Sequence, residues 1–328
     1  MRHALAVLAT ALIFAFPPAA PADPRLGLPI DCTLGEDCFL MNYVDRDPGP
    51  GAEDFTCGPA SYDGHDGTDF ALPSLAAMER GVAVLAAAPG LVRATRDGMP
   101  DLGLHGTPED RIAGRECGNG VVIDHGDGWE TQYCHLREGS ISVREGDRVT
   151  AGAPLGQVGF SGMTEFPHVH LAVRHEGVVV DPFDTASERV CGSGDRSENA
   201  LWNVPLGYLA GGIVAVGAFT GVPDYEAIKA GKAHMPALGP DAPALVGWVL
   251  LNNGRAGDTV TITLSAPDGS VWHRHEDVLG KKLALAMRAS GRKRPADGWE
   301  PGTWTVRAVV AREGTVLGAA ETEVRVGK

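Results

Sequence analysis

Aromatic residues and lysine are scarce in this chain of 328 residues. Phe, Trp and Tyr make up only 6% of it, and no lysine occurs before Lys229. The absence of lysine from residues 81–183 excludes a lipoyl- or biotin-carrier β-domain, because such a domain needs a lysine at an exposed hairpin tip. The formal net charge of −14 leaves too little positive charge to neutralise a nucleic-acid backbone, so no nucleic-acid partner is expected.

Two uncharged or apolar segments raise the question of a membrane span. Ala4–Phe16 is shorter than the roughly 20 residues that cross a bilayer, and it lies between Arg2 and the small residues Ala20-Pro21-Ala22. This pattern predicts a signal peptide over residues 1–22, with a retained anchor as the alternative. Residues 199–223 carry no charge, but their five glycines and two prolines favour strands and turns over a membrane helix. We therefore expect a periplasmic or secreted protein that is not integral to the membrane.

The six cysteines form an even set, which in an exported protein predicts disulfides. Cys117 and Cys134 lie at similar distances on either side of a turn at residues 125–128, so a simple hairpin sets them close to each other and predicts that they pair. Cys32 and Cys38, separated by a short local loop, are the next pair expected, and elimination leaves Cys57 with Cys191. Six cysteines allow many connectivities, so other pairings of these last four stay open.

Short apolar runs separated by glycine-rich turns dominate the chain and predict an all-β protein. We expect a loop-rich, disulfide-tied leader at residues 23–64, an antiparallel β-sandwich or barrel-like domain at 65–198, a linker at 199–239 and an immunoglobulin-like accessory sandwich at 240–328. The accessory part has a basic group, which we interpret as a solvated face, with docking to an anionic polymer as the alternative: Lys281, Lys282, Arg288, Arg292, Lys293 and Arg294.

Histidines and a carboxylate recur at spacings that suit a metal site. His65 and Asp69 lie four residues apart across Gly67. His168 and His170 alternate along a predicted strand, where residues i and i+2 face the same side. Imidazole and carboxylate are good zinc ligands, and three protein ligands plus water are typical of a catalytic zinc. Each motif alone is common without a metal, so their combination carries the prediction.

Together with Tyr133-Cys134-His135-Leu136, these motifs resemble those of the lysostaphin-type (LytM or β-lytic) zinc metallopeptidases, which cut peptidoglycan cross-links. The H-x-G-x-D motif of that family corresponds to residues 65–69, its Y-x-H-L motif to 133–136, its H-x-H strand to 168–170, and its glycine-studded run to 143–162. The resemblance covers about residues 60–183 and implies the duplicated-hybrid-motif fold for the predicted peptidase domain.

The resemblance also implies roles for five residues. His65, Asp69 and His170 are the expected ligands of one Zn²⁺ per chain. His135 and His168 are the expected catalytic residues, which accept a proton from water or donate hydrogen bonds to the oxyanion. The resemblance does not say which histidine does which.

The chain departs from the family pattern at Val169, at residues 171–173, and in a long insert between Val92 and Cys117. These differences remove no ligand, although the insert could reshape substrate access. Tyr62 lies near the entrance of the first motif and is a candidate assisting residue. A second H-x-H pair, His273 and His275, has no partner motif, and we expect both residues on the surface.

These observations predict a monomeric zinc metalloendopeptidase that hydrolyses peptidoglycan stem or cross-bridge peptides. A secreted endopeptidase that acts on glycine-rich extracellular proteins is the first alternative. A non-catalytic regulator of cell-wall amidases is the second, but a regulator of this kind is expected to lack ligands, and none is missing here. The acidic leader at residues 23–64 could also reach into the site and inhibit it.

Overall fold

The computed structural model describes residues 23–188, 190–192 and 197–327. The predicted signal peptide, residues 1–22, lies outside the described residues. The helices that are described have only four or five residues, and β-strands form the body of the protein, so the predicted all-β class is confirmed. No helix in these ranges is long and apolar enough to cross a membrane.

The strands and helices are numbered here in chain order. The strands are β1 (Phe39–Leu40), β2 (Thr68–Ala71), β3 (Ala83–Leu85), β4 (Gly90–Arg96), β5 (Asn119–Gly126), β6 (Trp129–Leu136), β7 (Arg148–Val149), β8 (Pro154–Gln157), β9 (His168–His175), β10 (Val178–Val179), β11 (Gly212–Phe219), β12 (Ala237–Leu238), β13 (Ala244–Gly254), β14 (Thr259–Ser265), β15 (Val271–Val278), β16 (Leu283–Lys293), β17 (Gly302–Arg312) and β18 (Thr315–Val326). The helices are α1 (Leu75–Glu79), α2 (Gly103–Gly106), α3 (Glu109–Ile112) and α4 (Tyr225–Lys229).

The first unit is built on one antiparallel sheet with the strand order β1-β2-β9-β6-β5-β4-β7, and β10 pairs with β9. A small second sheet consists of β3 and β8. The sequence of β9 is nearly continuously apolar between its histidines, and its first six residues are buried, as expected for a strand between two neighbours. Phe70, Tyr133 and Leu171 are among the fully buried side chains of the core beside it.

Residues 23–64 are part of this core. Leu26, Leu40 and Tyr43 are fully buried, and β1 extends the sheet by pairing with β2. The aromatic ring of Tyr43 lies 4.9 Å from that of Phe183 at the other end of the unit. We therefore propose that this segment belongs to the peptidase domain rather than forming a separate leader.

The three predicted disulfides are confirmed: Cys32–Cys38, Cys57–Cys191 and Cys117–Cys134. The hairpin geometry used to predict the third pair is wrong. Strands β5 and β6 pair Asn119 with Leu136 and Val121 with Tyr133, which does not place Cys117 opposite Cys134. A bulge and the turn at Gly118, which has a φ of 63°, bring Cys117 back to a Cα–Cα distance of 4.7 Å from Cys134.

The second unit is a pair of sheets with the orders β11-β13-β16 and β12-β18-β17-β14-β15. Strand β14 alternates strictly between buried and half-buried residues, which is the pattern of a strand with one face on a core. Strand β11 lies within the segment predicted as a linker, and it pairs along its length with β13. We therefore propose that this unit begins near Gly212 rather than at residue 240. Its immunoglobulin-like character stays a prediction.

Candidate metal centre

Strands β2 and β9 bring the two predicted ligand motifs together. Their antiparallel register sets Asp69 directly opposite His170, so both side chains emerge on the same face of the sheet. His65 reaches this face from the turn just before β2. Gly67 makes the approach possible, because a Cβ atom there would lie 2.7 Å from the carbonyl oxygen of Leu171.

The three predicted ligands converge through one atom each. His65 Nε2 lies 3.1 Å from Asp69 Oδ1 and 3.2 Å from His170 Nδ1, and the last two atoms are 3.0 Å apart. All three residues are buried. A tetrahedral zinc with bonds of about 2.0–2.1 Å requires ligand atoms only slightly farther apart than this, so the donor set fits a metal ion.

Backbone and amide groups orient two of these ligands. His65 Nδ1 lies 2.7 Å from the carbonyl oxygen of Tyr43, which selects the tautomer that leaves Nε2 free for a metal. The amide of Asn42 donates to Asp69 Oδ2 at 2.8 Å, so the other carboxylate oxygen, Oδ1, faces the cluster. Segment 23–64 therefore supports the ligands, and within the described residues none of its carboxylates joins them.

A charged pair orients the third ligand. His170 Nε2 lies 3.2 Å from Asp66 Oδ1, and Arg174 donates to Asp66 Oδ2 at 2.7 Å. Burial lowers the pKa of His170, but its hydrogen bonds with Asp66 and Asp69 outweigh this effect and raise the pKa to about 9. The hydrogen bond with His170 in turn lowers the pKa of Asp66 to about 2. The site therefore attracts positive charge at His170, either a proton or a metal.

The two predicted catalytic histidines lie side by side, with ring centroids 4.7 Å apart. His135 Nδ1 contacts the carbonyl oxygen of Ser161 and His168 Nδ1 that of Phe166, each at 2.8 Å. Both rings therefore turn Nε2 away from these backbone partners, and His168 Nε2 lies 3.3 Å from Asp69 Oδ1. Burial, with the nearby His168 and His170, holds the pKa of His135 well below its usual value, so this ring is neutral at neutral pH.

The backbone of His135 has a φ of 63°, which lies in the left-handed region that few residues other than glycine adopt. Its N–H donates to the carbonyl oxygen of Cys117 at 2.8 Å, directly beside the Cys117–Cys134 disulfide. Strained backbone that is held by surrounding bonds is common at functional sites. Such bonds fix the direction of the imidazole.

All five residues predicted from the motifs thus meet in one cluster, while their roles stay a prediction. Tyr62 packs its half-exposed ring on that of His65 at 4.5 Å, near the entrance as expected. Sequence reasoning missed Asn42 and Asp66, which contact the ligands directly, and Arg174. The only available signals were that Asp66 lies inside the H-x-G-x-D motif and that Arg174 shares a strand face with His170.

The cluster lies between two cavities. The smaller, of about 190 Å³, is lined by Asp66, Gln132 and Arg174 together with the Cys117–Cys134 disulfide. The larger, of about 660 Å³, starts at His135 and His168. The insert between Val92 and Cys117 forms α2 and α3, and Leu104 of α2 contributes to the rim of the larger cavity.

Sequence comparison matches the part of the chain that contains this cluster. Residues 63–182 match the profile described as peptidase family M23. This match confirms the resemblance of that region to the lysostaphin/LytM-type peptidases that the motifs indicated.

Three relatives illustrate the match. The cell division protein DipM of Caulobacter vibrioides is 38% identical over 72 residues, which are 21% of this chain and 12% of DipM. The peptidoglycan DD-endopeptidase ShyA of Vibrio cholerae is 33% identical over 106 residues, 32% of this chain and 19% of ShyA. The DD-carboxypeptidase/endopeptidase Mpg of Neisseria meningitidis is 34% identical over 122 residues, 37% of this chain and 23% of Mpg. The chain spans less than a quarter of the length of each.

Proposed function

We propose that this protein is a zinc-dependent endopeptidase that hydrolyses stem or cross-bridge peptides of peptidoglycan in the periplasm or outside the cell. The observation that supports this proposal most directly is a cluster of three atoms, His65 Nε2, Asp69 Oδ1 and His170 Nδ1. They lie within 3.2 Å of one another, beside two further buried histidines. The names of ShyA and Mpg support the substrate class. Three disulfides support an oxidising compartment.

His65, Asp69 and His170 are the residues that would hold the zinc. Bound there, the ion would lower the pKa of a water molecule and polarise the scissile carbonyl. His135, kept neutral by burial, is suited to accept a proton from the attacking water at Nε2. His168 has the same arrangement, with Nδ1 facing the Phe166 carbonyl, so its Nε2 donates a hydrogen bond to the developing oxyanion only when the ring carries both protons.

The proposal is tested by the turbidity of purified cell-wall sacculi with the wild type and His168→Ala. We expect the wild type to clear the sacculi and the variant to lose at least about 100-fold in rate, because loss of one oxyanion donor costs roughly 10²–10³-fold. The variant should keep its metal. His275→Ala is the matched control, because this residue is exposed on β15 and far along the chain from the cluster.

Wild-type activity on glycine-rich extracellular proteins without clearing of sacculi would favour the first alternative substrate. Bound zinc with no hydrolysis of either substrate would favour a regulator. Equal rates for the wild type and His168→Ala would contradict the role given to His168.

A further inference from the structure

The larger cavity beside His135 and His168 has a wall that the peptidase domain does not supply. On the side of the histidines it is lined by Ser61, Tyr62 and Phe166 of the first unit. The opposite wall comes from α4 and from residues at the ends of β13 and β16, namely Tyr225, Lys229, Asn253, Lys282 and Leu285. The second unit therefore completes the groove that leads to the candidate catalytic residues.

Buried hydrogen bonds fix this wall in place. The side-chain amide of Asn252 donates to the carbonyl oxygen of Leu40 at 2.9 Å, and that of Asn253 donates to Met41 at 2.7 Å. Asn253 has a φ of 50°, a conformation that asparagine tolerates better than most residues. Both acceptors belong to β1 and the residue after it, so the second unit is attached to the edge of the catalytic sheet.

A shared hydrophobic cluster strengthens the attachment. It contains buried side chains from both units, namely Phe39, Met41, Ala71 and Phe166 of the first and Ile228, Ala233, Trp248 and Leu250 of the second. Apolar area buried in this way contributes roughly 25 cal/mol per Å², which opposes separation of the units. The groove is therefore a lasting feature of the fold.

Two lysines line this wall, and of the two only Lys229 has an acidic partner among the described residues, so Lys282 supplies the unpaired positive charge. Lys282 Nζ lies 3.3 Å from the carbonyl oxygen of Ser61. Among the described residues, no carboxylate oxygen lies within 4.0 Å of Nζ, the distance that defines an ion pair. An ammonium group has three donors, so two remain for a ligand. Lys229 is largely buried along its side chain and pairs with Glu226 at 3.6 Å.

The acidic groups near the groove leave this charge available. Asp69 is already bound by the histidines and Asn42. Glu165, which also lines the cavity, contacts His105 Nε2 at 3.1 Å and forms an ion pair with neither described lysine. The formal net charge of the chain is −14, so most of its surface repels anions. An acidic peptide that binds the protein is therefore expected at an exposed cation such as Lys282.

We propose that this wall is a substrate subsite in which Lys282 binds a carboxylate of a peptidoglycan peptide while the scissile bond lies at His135 and His168. The inference rests on the proposed function. It assigns to the second unit a part in substrate selection, and for Lys282 it develops the docking to an anionic polymer that the sequence analysis gave as an alternative.

The test is co-sedimentation of the full chain with sacculi, in a His168→Ala background so that binding is measured without cleavage. One batch of sacculi is native, and in the other the peptide carboxylates are converted to amides. Lys282→Gln is compared with Lys281→Gln, a matched control because Lys281 is exposed and does not line the cavity.

We expect Lys282→Gln to bind native sacculi about 5-fold more weakly than the control, since a partly exposed charge-assisted bond contributes roughly 1 kcal/mol. Amidation of the sacculi should weaken binding of the Lys281→Gln control by a similar factor. Binding of Lys282→Gln should be nearly the same to native and to amidated sacculi. Equal binding of the two variants to native sacculi, equal weakening of both by amidation, or no binding by the control overturns the subsite.

Hydrolysis by the unsubstituted chain is measured in parallel, so that the two proposals fail separately. Binding that depends on Lys282 without hydrolysis rejects the peptidase and keeps the subsite. Hydrolysis with binding that is independent of Lys282 rejects the subsite alone.

Discussion

At the scale of single residues, Asp66 holds a proposed metal ligand in position, a role that the H-x-G-x-D motif did not indicate. Its carboxylate contacts His170 Nε2 at 3.2 Å and is itself held by Arg174. Carboxylates that accept from the outer nitrogen of a metal-ligating histidine fix its orientation and make it a better ligand. Asp66 therefore supports the candidate metal site without being one of its proposed ligands.

Replacing Asp66 by Asn keeps the size of the side chain and removes its charge. We expect Asp66→Asn to weaken zinc binding by about 10- to 100-fold, the usual cost of losing such a partner. Competition with a chromophoric zinc chelator measures this affinity. Asp63→Asn, an exposed acid three residues earlier, should bind zinc like the wild type. Equal affinities for the two variants would contradict the role of Asp66.

Asp181, just after β10, is a buried acid outside the site. Its Oδ1 accepts the N–H of Phe183, while Oδ2 has no partner among the described protein atoms. Burial raises its pKa to about 7, although the Phe183 N–H and Arg46 act against this. An unfolded aspartate has a pKa of about 3.9, so between these values the folded chain binds more protons and becomes less stable as pH rises.

Asparagine has nearly the same shape as aspartate but no charge, so replacing Asp181 by Asn should remove the loss of stability at high pH. We expect Asp181→Asn to raise the free energy of unfolding by about 1–3 kcal/mol at pH 8 and to change it little at pH 4. Urea unfolding at both pH values measures the difference, with the wild type at each pH as reference. A stability difference between variant and wild type that is the same at both pH values would contradict a proton held at Asp181.

At the scale of elements, strand geometry explains why the five site residues could be predicted. His168 and His170 lie two apart on β9, and His65 and Asp69 bracket the start of β2, so short motifs already fix which side chains share a face. The bulges between β5 and β6 have no comparable signature. The Cys117–Cys134 pairing was therefore predicted correctly from a register that the strands do not adopt.

The Cys117–Cys134 disulfide also affects the candidate site, because it lies beside His135 on strand β6. Removing it as Cys117→Ala/Cys134→Ala should lower the free energy of unfolding by about 3 kcal/mol, as expected for a loop of this length. Hydrolysis should fall as well, because His135 follows Cys134 and its strained backbone is bonded to Cys117. Zinc content should not change, since the proposed ligands are carried by β2, β9 and the turn before β2.

Urea unfolding, turbidity assays and zinc analysis measure these three effects. The control is Cys32→Ala/Cys38→Ala, which opens a disulfide outside the cluster. Hydrolysis that is reduced equally in both double variants would show that the Cys117–Cys134 bond has no particular effect on His135.

At the scale of the whole molecule, sequence reasoning separated parts that the fold joins. The sequence predicts a leader at residues 23–64 and an accessory module at 240–328. In the fold, β1 joins the sheet of the first unit, and Asn252 bonds to Leu40 across 212 positions of sequence. No local pattern announces a contact at that separation, because it depends on the packing of finished sheets. Sequence reasoning named Lys282 in a basic group but could not place it beside the larger cavity for this reason.

The central claim is that His65, Asp69 and His170 hold the zinc of a peptidoglycan hydrolase. The most direct test is the zinc content of the purified full chain, measured by mass spectrometry beside its rate of sacculus clearing, before and after chelation and on return of zinc. The account predicts about one zinc per chain, loss of both metal and activity with the chelator and in His65→Ala, and recovery of the wild type with zinc. A chain that binds no zinc, or that clears sacculi equally well without it, would contradict the account.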